Sequence, residues 1–178
     1  GLIFVAKSPR SVDIPAARAV MAGAPLSFVG VFRNAQPATI AKTVEALNLA
    51  AVQLHGDEDA AYIQTLRALL PAACQIWKAV GVTSGEPLPA LDYPADRLLL
   101  DTKVGSQSGG TGQAFDWAML AGLDKSRLML AGGLNPDNAL QAAQVGCLGL
   151  DFNSGVESAP GQKDAHKIAA AFGALRQL

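Results

Sequence analysis

Leu26-Ser27-Phe28-Val29-Gly30-Val31-Phe32, Ala50-Ala51-Val52-Gln53-Leu54 and Cys74-Gln75-Ile76-Trp77-Lys78-Ala79-Val80 are apolar, β-rich runs whose starts, at 26, 50 and 74, are 24 residues apart. The segments between them, Ile40 to Leu47 and Tyr62 to Leu70, carry helical periodicity. Strand and helix therefore alternate. The rhythm continues on both sides: further runs start at Leu2 (LIFVA), Arg97 (RLLLD), Arg127 (RLMLAG) and Leu148 (LGLDF). Further helical segments run from Ile14 to Met21, Trp117 to Leu120, Ala139 to Val145 and Ile168 to Leu175. Thr39, Asp57 and Asn135-Pro136-Asp137 stand where helix starts are expected, and Gly146 where a helix ends. Between Val82 and Ala95 three prolines leave room only for a short turn of helix.

Near-continuous apolar strands joined by single helices imply a parallel sheet covered on both faces, either doubly wound or closed into a barrel. A leucine-rich solenoid has a similar period, but its L-x-x-L-x-L-x-x-N pattern is absent. The unusual polar and glycine residues follow the strands, at Arg10, His55, Asp101, Gly132-Gly133 and Ser154-Gly155. Contributions from nearly every strand favour the mouth of a (βα)8 TIM barrel over a single switch-point crevice. Such a barrel has eight strands and the runs number seven. The chain opens in a strand without an initiator Met and closes on an amphipathic helix from Asp164 to Leu178, so the expected gap is the first βα unit.

A length of 178 residues, half of them hydrophobic, suits one domain spanning 1–178. Fourteen Lys and Arg balance fifteen Asp and Glu without clustering, which leaves no electrostatic footprint for nucleic acid. No apolar run approaches the ~20 residues needed to cross a bilayer, and Gly1-Leu2-Ile3-Phe4-Val5 lacks the features of a signal peptide, so a cytoplasmic location is expected. Cys74 and Cys147 lack the spacing of zinc or redox motifs and read as reduced, buried thiols.

Three glycine-bearing loops follow the last strands: Ser108-Gly109-Gly110-Thr111-Gly112, Ala131-Gly132-Gly133-Leu134 and Asn153-Ser154-Gly155-Val156. Glycine lets backbone N–H groups approach a phosphate, and loops after the last two strands are the recurrent phosphate site of this fold. One such loop signifies little beyond a tight turn. Two in register predict a phosphorylated small molecule. Asp101 ends Arg97-Leu98-Leu99-Leu100-Asp101 and reads either as a general acid or as a strand-end cap. Arg10, in Ser8-Pro9-Arg10-Ser11, reads as an anion ligand or a loop cation. His55 reads as a proton-transfer or polar contact, or as a packed histidine, and Lys78 is similarly open.

With these residues in place the chain resembles the phosphoribosylanthranilate isomerases of tryptophan biosynthesis. The resemblance is carried by Val52-Gln53-Leu54-His55-Gly56, by Leu100-Asp101-Thr102-Lys103 with Gly109-Gly110-Thr111-Gly112 and Phe115-Asp116-Trp117, by Leu130-Ala131-Gly132-Gly133-Leu134-Asn135-Pro136, and by Ser154-Gly155-Val156-Glu157-Ser158 through Gly161-Gln162-Lys163-Asp164. Gly30-Val31-Phe32-Arg33-Asn34 and Asp151-Phe152-Asn153-Ser154 look more like the enterobacterial form, fused behind indole-3-glycerol-phosphate synthase. The resemblance implies a cofactor-free, metal-free Amadori rearrangement of N-(5-phosphoribosyl)anthranilate to 1-(2-carboxyphenylamino)-1-deoxyribulose 5-phosphate. It implies Asp101 as general acid, Arg10 on the anthranilate carboxylate, and His55 as a further substrate contact. It also implies that Gly132, Gly133, Ser154 and Gly155 hold the phosphate, with Gly110, Thr111 and Gly112. The family's base is a cysteine in a Lys-x-Cys-Gly-like motif on the first strand, and nothing in the chain matches it, so a chain starting at Gly1 is expected to be inactive. A histidine-pathway isomerase is disfavoured because the two halves share no motif. The reading from another class is a non-catalytic domain that binds a phosphorylated ligand or assists assembly within a fused polypeptide.

Overall fold

The computed structural model describes residues 1–104, 107–108 and 114–176. The chain divides into two compact units, Gly1–Ala79 with Asp92–Arg97, and Val80–Leu91 with Leu98–Leu178. All seven apolar runs form strands of the parallel kind.

The first unit runs β1 (Leu2–Ile3), α1 (Ile14–Ala22), β2 (Val29–Phe32), α2 (Pro37–Leu47), β3 (Ala51–Leu54), α3 (Ala60–Arg67) and the start of β4 (Gln75–Val82). β1 to β4 pair in sequence order, with Leu2 opposite Gly30, Gly30 opposite Val52, and Val52 opposite Ile76. Each link between parallel partners contains a helix, as such a connection must return to the end where the first strand began. β3 is buried throughout, which is why its sequence reads as an unbroken apolar run. Gly30 fits because a Cβ there would lie 2.7 Å from Leu49 Cδ1 and 2.8 Å from Phe32 Cε2.

Helix starts differ from the expected ones for local reasons. α2 begins at Pro37, whose ring presets the helical φ and carries no N–H to satisfy; Gln36 before it makes no side-chain cap bond, and Thr39 lies inside the helix. α3 is capped by Asp59, whose carboxylate accepts the Tyr62 N–H at 2.8 Å. Asp57 is engaged elsewhere, by Asn34. The segment Asp92–Arg97 joins this unit through Asp96, whose carboxylate accepts the Ile76 N–H at 2.6 Å and pairs with Arg67, while Arg97 lies over the Trp77 ring.

The second unit contains β5 (Arg97–Val104, from Leu98 onward), the short antiparallel β6 (Gln107–Ser108), β7 (Leu128–Leu130) and β8 (Gly149–Leu150). Leu98, Leu99 and Leu100 pair with Leu128, Met129 and Leu130, and Met129 and Leu130 pair with Gly149 and Leu150. A hairpin of β9 (Glu157–Ala159) and β10 (Gln162–Lys163) follows. The helices are α4 (Ala139–Gln144) and α5 (Ala165–Leu175), the latter capped by Asp164, which accepts N–H bonds from His166 and Lys167. Trp117–Leu120 is a 3-10 turn, and the proline-rich stretch from Thr83 to Ala95 forms no helix. Arg127 donates to the Leu91 carbonyl at 2.6 Å and so ties residues 80–91 into this unit. No helix among the described residues is long and apolar enough to cross a membrane.

The α2 face shows the energetics directly. Ile40, Thr43, Val44 and Leu47, spaced three and four apart, are its buried residues, and Ile40 is 0 % exposed. Ile40→Ala is expected to lower the unfolding free energy by about 2–5 kcal/mol in urea titrations. Glu45→Ala on the exposed face of α2 should change it by less than ~0.5 kcal/mol.

Candidate active site

In the second unit the site grows out of Asp101. β5 carries it between Leu100 and Thr102, and all three are buried, with Asp101 5 % exposed. The loop after β7 presses against this strand: Gly132 and Gly133 have φ of 80° and 68°, and a Cβ on Gly132 would run into Thr102 Oγ1 and the Thr102 nitrogen. Only glycine adopts that backbone at so short an approach. Thr102 Oγ1 also accepts the Phe115 N–H at 3.1 Å. The Gly133 carbonyl accepts from two side-chain amides, Asn135 Nδ2 at 3.2 Å and Asn138 Nδ2 at 3.0 Å, and Asn138 Oδ1 accepts the Asn135 N–H at 2.9 Å. In a trans peptide the carbonyl and the following N–H point in opposite directions. Holding the Gly133 carbonyl therefore aims the Leu134 N–H to the other side of the loop.

The loop after β8 interlocks with the first. A Cβ on Gly155 would collide with the Leu134 carbonyl and come within 2.9 Å of Asn135 Cβ. Ser154–Val156 form a single 3-10 turn, whose leading N–H groups lie outside its own hydrogen bonding. Lys163 on β10 fastens the entry to this turn: its Nζ donates to Asn153 O and Oδ1, both at 2.8 Å, and pairs with buried Glu157 at 2.9 Å. Lys167 on α5 donates to the Glu157 carbonyl at 2.7 Å. Thr102, Gly132, Leu134 and Gly155 thus pack into one cluster, with Asp101, Gly133 and Ser154 as their neighbours in the chain. Gly110, Thr111 and Gly112 lie outside the described residues.

Arg10 and His55 belong to the first unit. Arg10 is half-buried in the turn after β1, its N–H donating to Ser8 Oγ at 3.1 Å. His55 follows β3 directly and is half-buried; its N–H donates to the Phe32 carbonyl at 2.8 Å, and Nδ1 lies 3.0 Å from Gln53 Oε1. Sequence reasoning left Lys78 open and missed Glu58. They form an ion pair at 3.2 Å whose side chains are 3 % and 1 % exposed. The only sequence signal was Lys78 itself, which shares the buried face of β4 with Ile76 and Val80.

The two cysteines offer no activated thiol. Burial pushes the Cys74 thiol up, with nearby Arg67 opposing it, and burial raises Cys147 likewise, with Lys125 opposing. Both should react with iodoacetamide at pH 7.5 more slowly than glutathione does, as followed by mass spectrometry. No group of three or more His, Cys, Asp or Glu among the described residues could hold a metal ion. The glycines make a second contrast. Gly132→Ala is expected to destabilise by more than ~1 kcal/mol, whereas Gly173→Ala in α5, with open space around its Cβ, should stabilise by roughly 0.4–1 kcal/mol in the same urea titrations.

Residues 1–174 match the family model described as N-(5'phosphoribosyl)anthranilate (PRA) isomerase. The chain is 57 % identical over 176 residues to the tryptophan biosynthesis protein TrpCF of Vibrio cholerae, covering 99 % of the chain and 37 % of that protein. It thus spans just over a third of the length of the curated relatives it matches. Among solved structures it is similar to the phosphoribosyl anthranilate isomerase of Thermus thermophilus, with a TM-score of 0.85 and 33 % identity over 99 % of this chain and 86 % of that one. It is also similar to a phosphoribosyl anthranilate isomerase in complex with reduced 1-(o-carboxyphenylamino)-1-deoxyribulose 5-phosphate, with a TM-score of 0.78 and 29 % identity over 100 % and 87 % of the two chains.

Proposed function

The chain belongs to the N-(5'phosphoribosyl)anthranilate (PRA) isomerase family, and on that premise we propose that its domain carries out the Amadori rearrangement of N-(5-phosphoribosyl)anthranilate in tryptophan biosynthesis. The observation that carries the reading is a buried carboxyl group, Asp101, on β5 just past its parallel pairing with β7, whose next residue is pressed by the Gly132 loop, itself interlocked with the Gly155 loop. A phosphate held by backbone N–H groups of these loops fixes one end of the substrate without taking part in the chemistry. Asp101 then acts at the other end.

In the proposed sequence Asp101 donates a proton to the furanose ring oxygen as the C1–O bond breaks and the anthranilate nitrogen lone pair forms the C=N bond of an iminium ion. Loss of the C2 proton to a base gives an enolamine. Proton transfer from its C2 hydroxyl oxygen, with protonation at C1, leaves the ketose. From the resemblance, Arg10 is the proposed ligand of the anthranilate carboxylate and His55 a further substrate contact. Neither Cys74 nor Cys147 is proposed as the base: each stands just before its strand, β4 and β8, at the opposite end from the loops that follow the strands. The proposed partner is an indole-3-glycerol-phosphate synthase, fused or paired, in the cytoplasm.

The test uses the natural polypeptide that contains this chain. Asp101→Asn should lower kcat by about 10²–10⁴-fold, while Kd for the reduced product analogue changes by only a few fold. Turnover equal to wild type in that variant overturns the assignment of the acid. Loss of analogue binding with kcat intact would instead assign Asp101 to substrate binding.

A further inference from the structure

A carboxylate and an ammonium are buried together in the first unit, and the chemistry assigned to Asp101 does not use them. The Glu58 carboxylate receives three donors: Lys78 Nζ at 3.2 Å, the Gly56 N–H at 2.8 Å and the Asn34 N–H at 2.6 Å. Lys78 Nζ donates in turn to the Gly56 carbonyl at 2.6 Å and faces the Tyr93 ring, 5.9 Å from its centroid. Both the N–H and the carbonyl of Gly56 are therefore gripped by one ion pair. Asn34 completes the arrangement. It is held at a φ of 52°, and its side chain exchanges hydrogen bonds with Asp57, Nδ2 donating to Oδ2 at 2.9 Å and Oδ1 accepting the Asp57 N–H at 2.7 Å. A Cβ on Gly56 would collide with Asn34 Oδ1, so the loops after β2 and β3 are in direct contact.

Stability alone is a poor account of this pair. Desolvating two charges offsets most of their attraction, and apolar residues of similar volume commonly serve a fold as well or better. A left-handed asparagine, strained unless its surroundings impose it, has the same character. Both features converge on one residue, Gly56, and on the two peptide units that flank it. The first of these joins it to His55, whose own N–H is held by the Phe32 carbonyl and whose Nδ1 lies against Gln53.

We propose that Lys78 and Glu58 are positioning residues: their buried ion pair fixes Gly56 through both its N–H and its carbonyl and thereby aims the His55 imidazole at substrate. The proposal rests on the reading of His55 as a substrate contact. The pair is the support of the histidine and never meets the reacting atoms.

The experiment compares wild-type natural polypeptide with Lys78→Met, Glu58→Gln and the double variant, in backgrounds with His55 and with His55→Ala. Each single change leaves a buried charge unpaired and should lower the melting temperature, whereas the double variant, charge-neutral again, should melt within a few degrees of wild type. Its kcat/KM for N-(5-phosphoribosyl)anthranilate should nonetheless fall at least 10-fold with His55 present. With His55→Ala it should fall less than twofold further. Imidazole resonances of His55, read by NMR in the double variant, should shift or broaden while methyl resonances of Ile63 and Leu66 stay in place. Unchanged His55 resonances overturn the proposal whatever the kinetics, and so does an equal loss of kcat/KM in both backgrounds. Absence of turnover in wild type would sink the isomerase reading and leave the resonance test to decide the positioning role.

Discussion

Two parallel strands can be joined only by a connection that carries the chain back to the end from which it started, and this constraint decides where the functional side chains emerge. Every strand of such a sheet exposes its carboxyl end at the same edge. In the first unit that edge receives Arg10 after β1, Asn34 after β2, His55 after β3, and Lys78 in β4. The second unit has an edge of its own, which receives Asp101 in β5, Gly132 after β7 and Ser154 after β8. Within each unit, residues remote in sequence are thus brought to one edge by the ladder, and the helices need contribute only burial.

The units stabilise their edges by different physics. The second relies on close backbone approach: Gly132 against Thr102, Gly155 against the Leu134 carbonyl, and two asparagine amides on the Gly133 carbonyl. Such an interlock fixes backbone and not side chains, which is the feature on which the proposed phosphate cradle rests. The first unit relies on charge, with Glu58 and Lys78 satisfying one another and three backbone groups. A carboxylate with several directed donors sets orientation sharply. The imidazole contact proposed for His55 demands that kind of precision.

How much of this was legible in sequence follows from the range of the interactions concerned. The strands were legible because burial on both faces leaves an unbroken apolar run, as in Leu98-Leu99-Leu100 and Ala51-Val52-Gln53-Leu54. Helix starts were less so, because neighbouring residues compete for the cap: Pro37 overrode Thr39, and Asp59 took the role that Asp57 could have filled. The glycine loops were legible as types of residue after strands, and Asp101 as a polar residue closing an apolar run, although β5 continues past it to Val104; the interlock was not legible, since it depends on contacts such as Gly132 with Thr102. Glu58 was hidden outright. In Asp57-Glu58-Asp59 it reads as one of three solvated acids, and two of the three donors that single it out, Asn34 and Lys78, are 24 and 20 residues away.

Lys78 marks what a sequence can still disclose about such a device. The pattern of β4 puts Ile76, Lys78, Val80 and Val82 on its buried face, so a lysine there breaks the rule that makes the strand. A break of this kind persists only with a partner of opposite charge, because an unpaired buried ammonium is too costly to keep. Its partner must therefore come from an adjacent strand end. β3 is adjacent to β4, and its following loop carries the three acids, of which Glu58 is the buried one. The charge that looked ambiguous in isolation is, by that reasoning, half of a pair whose other half the parallel ladder supplies.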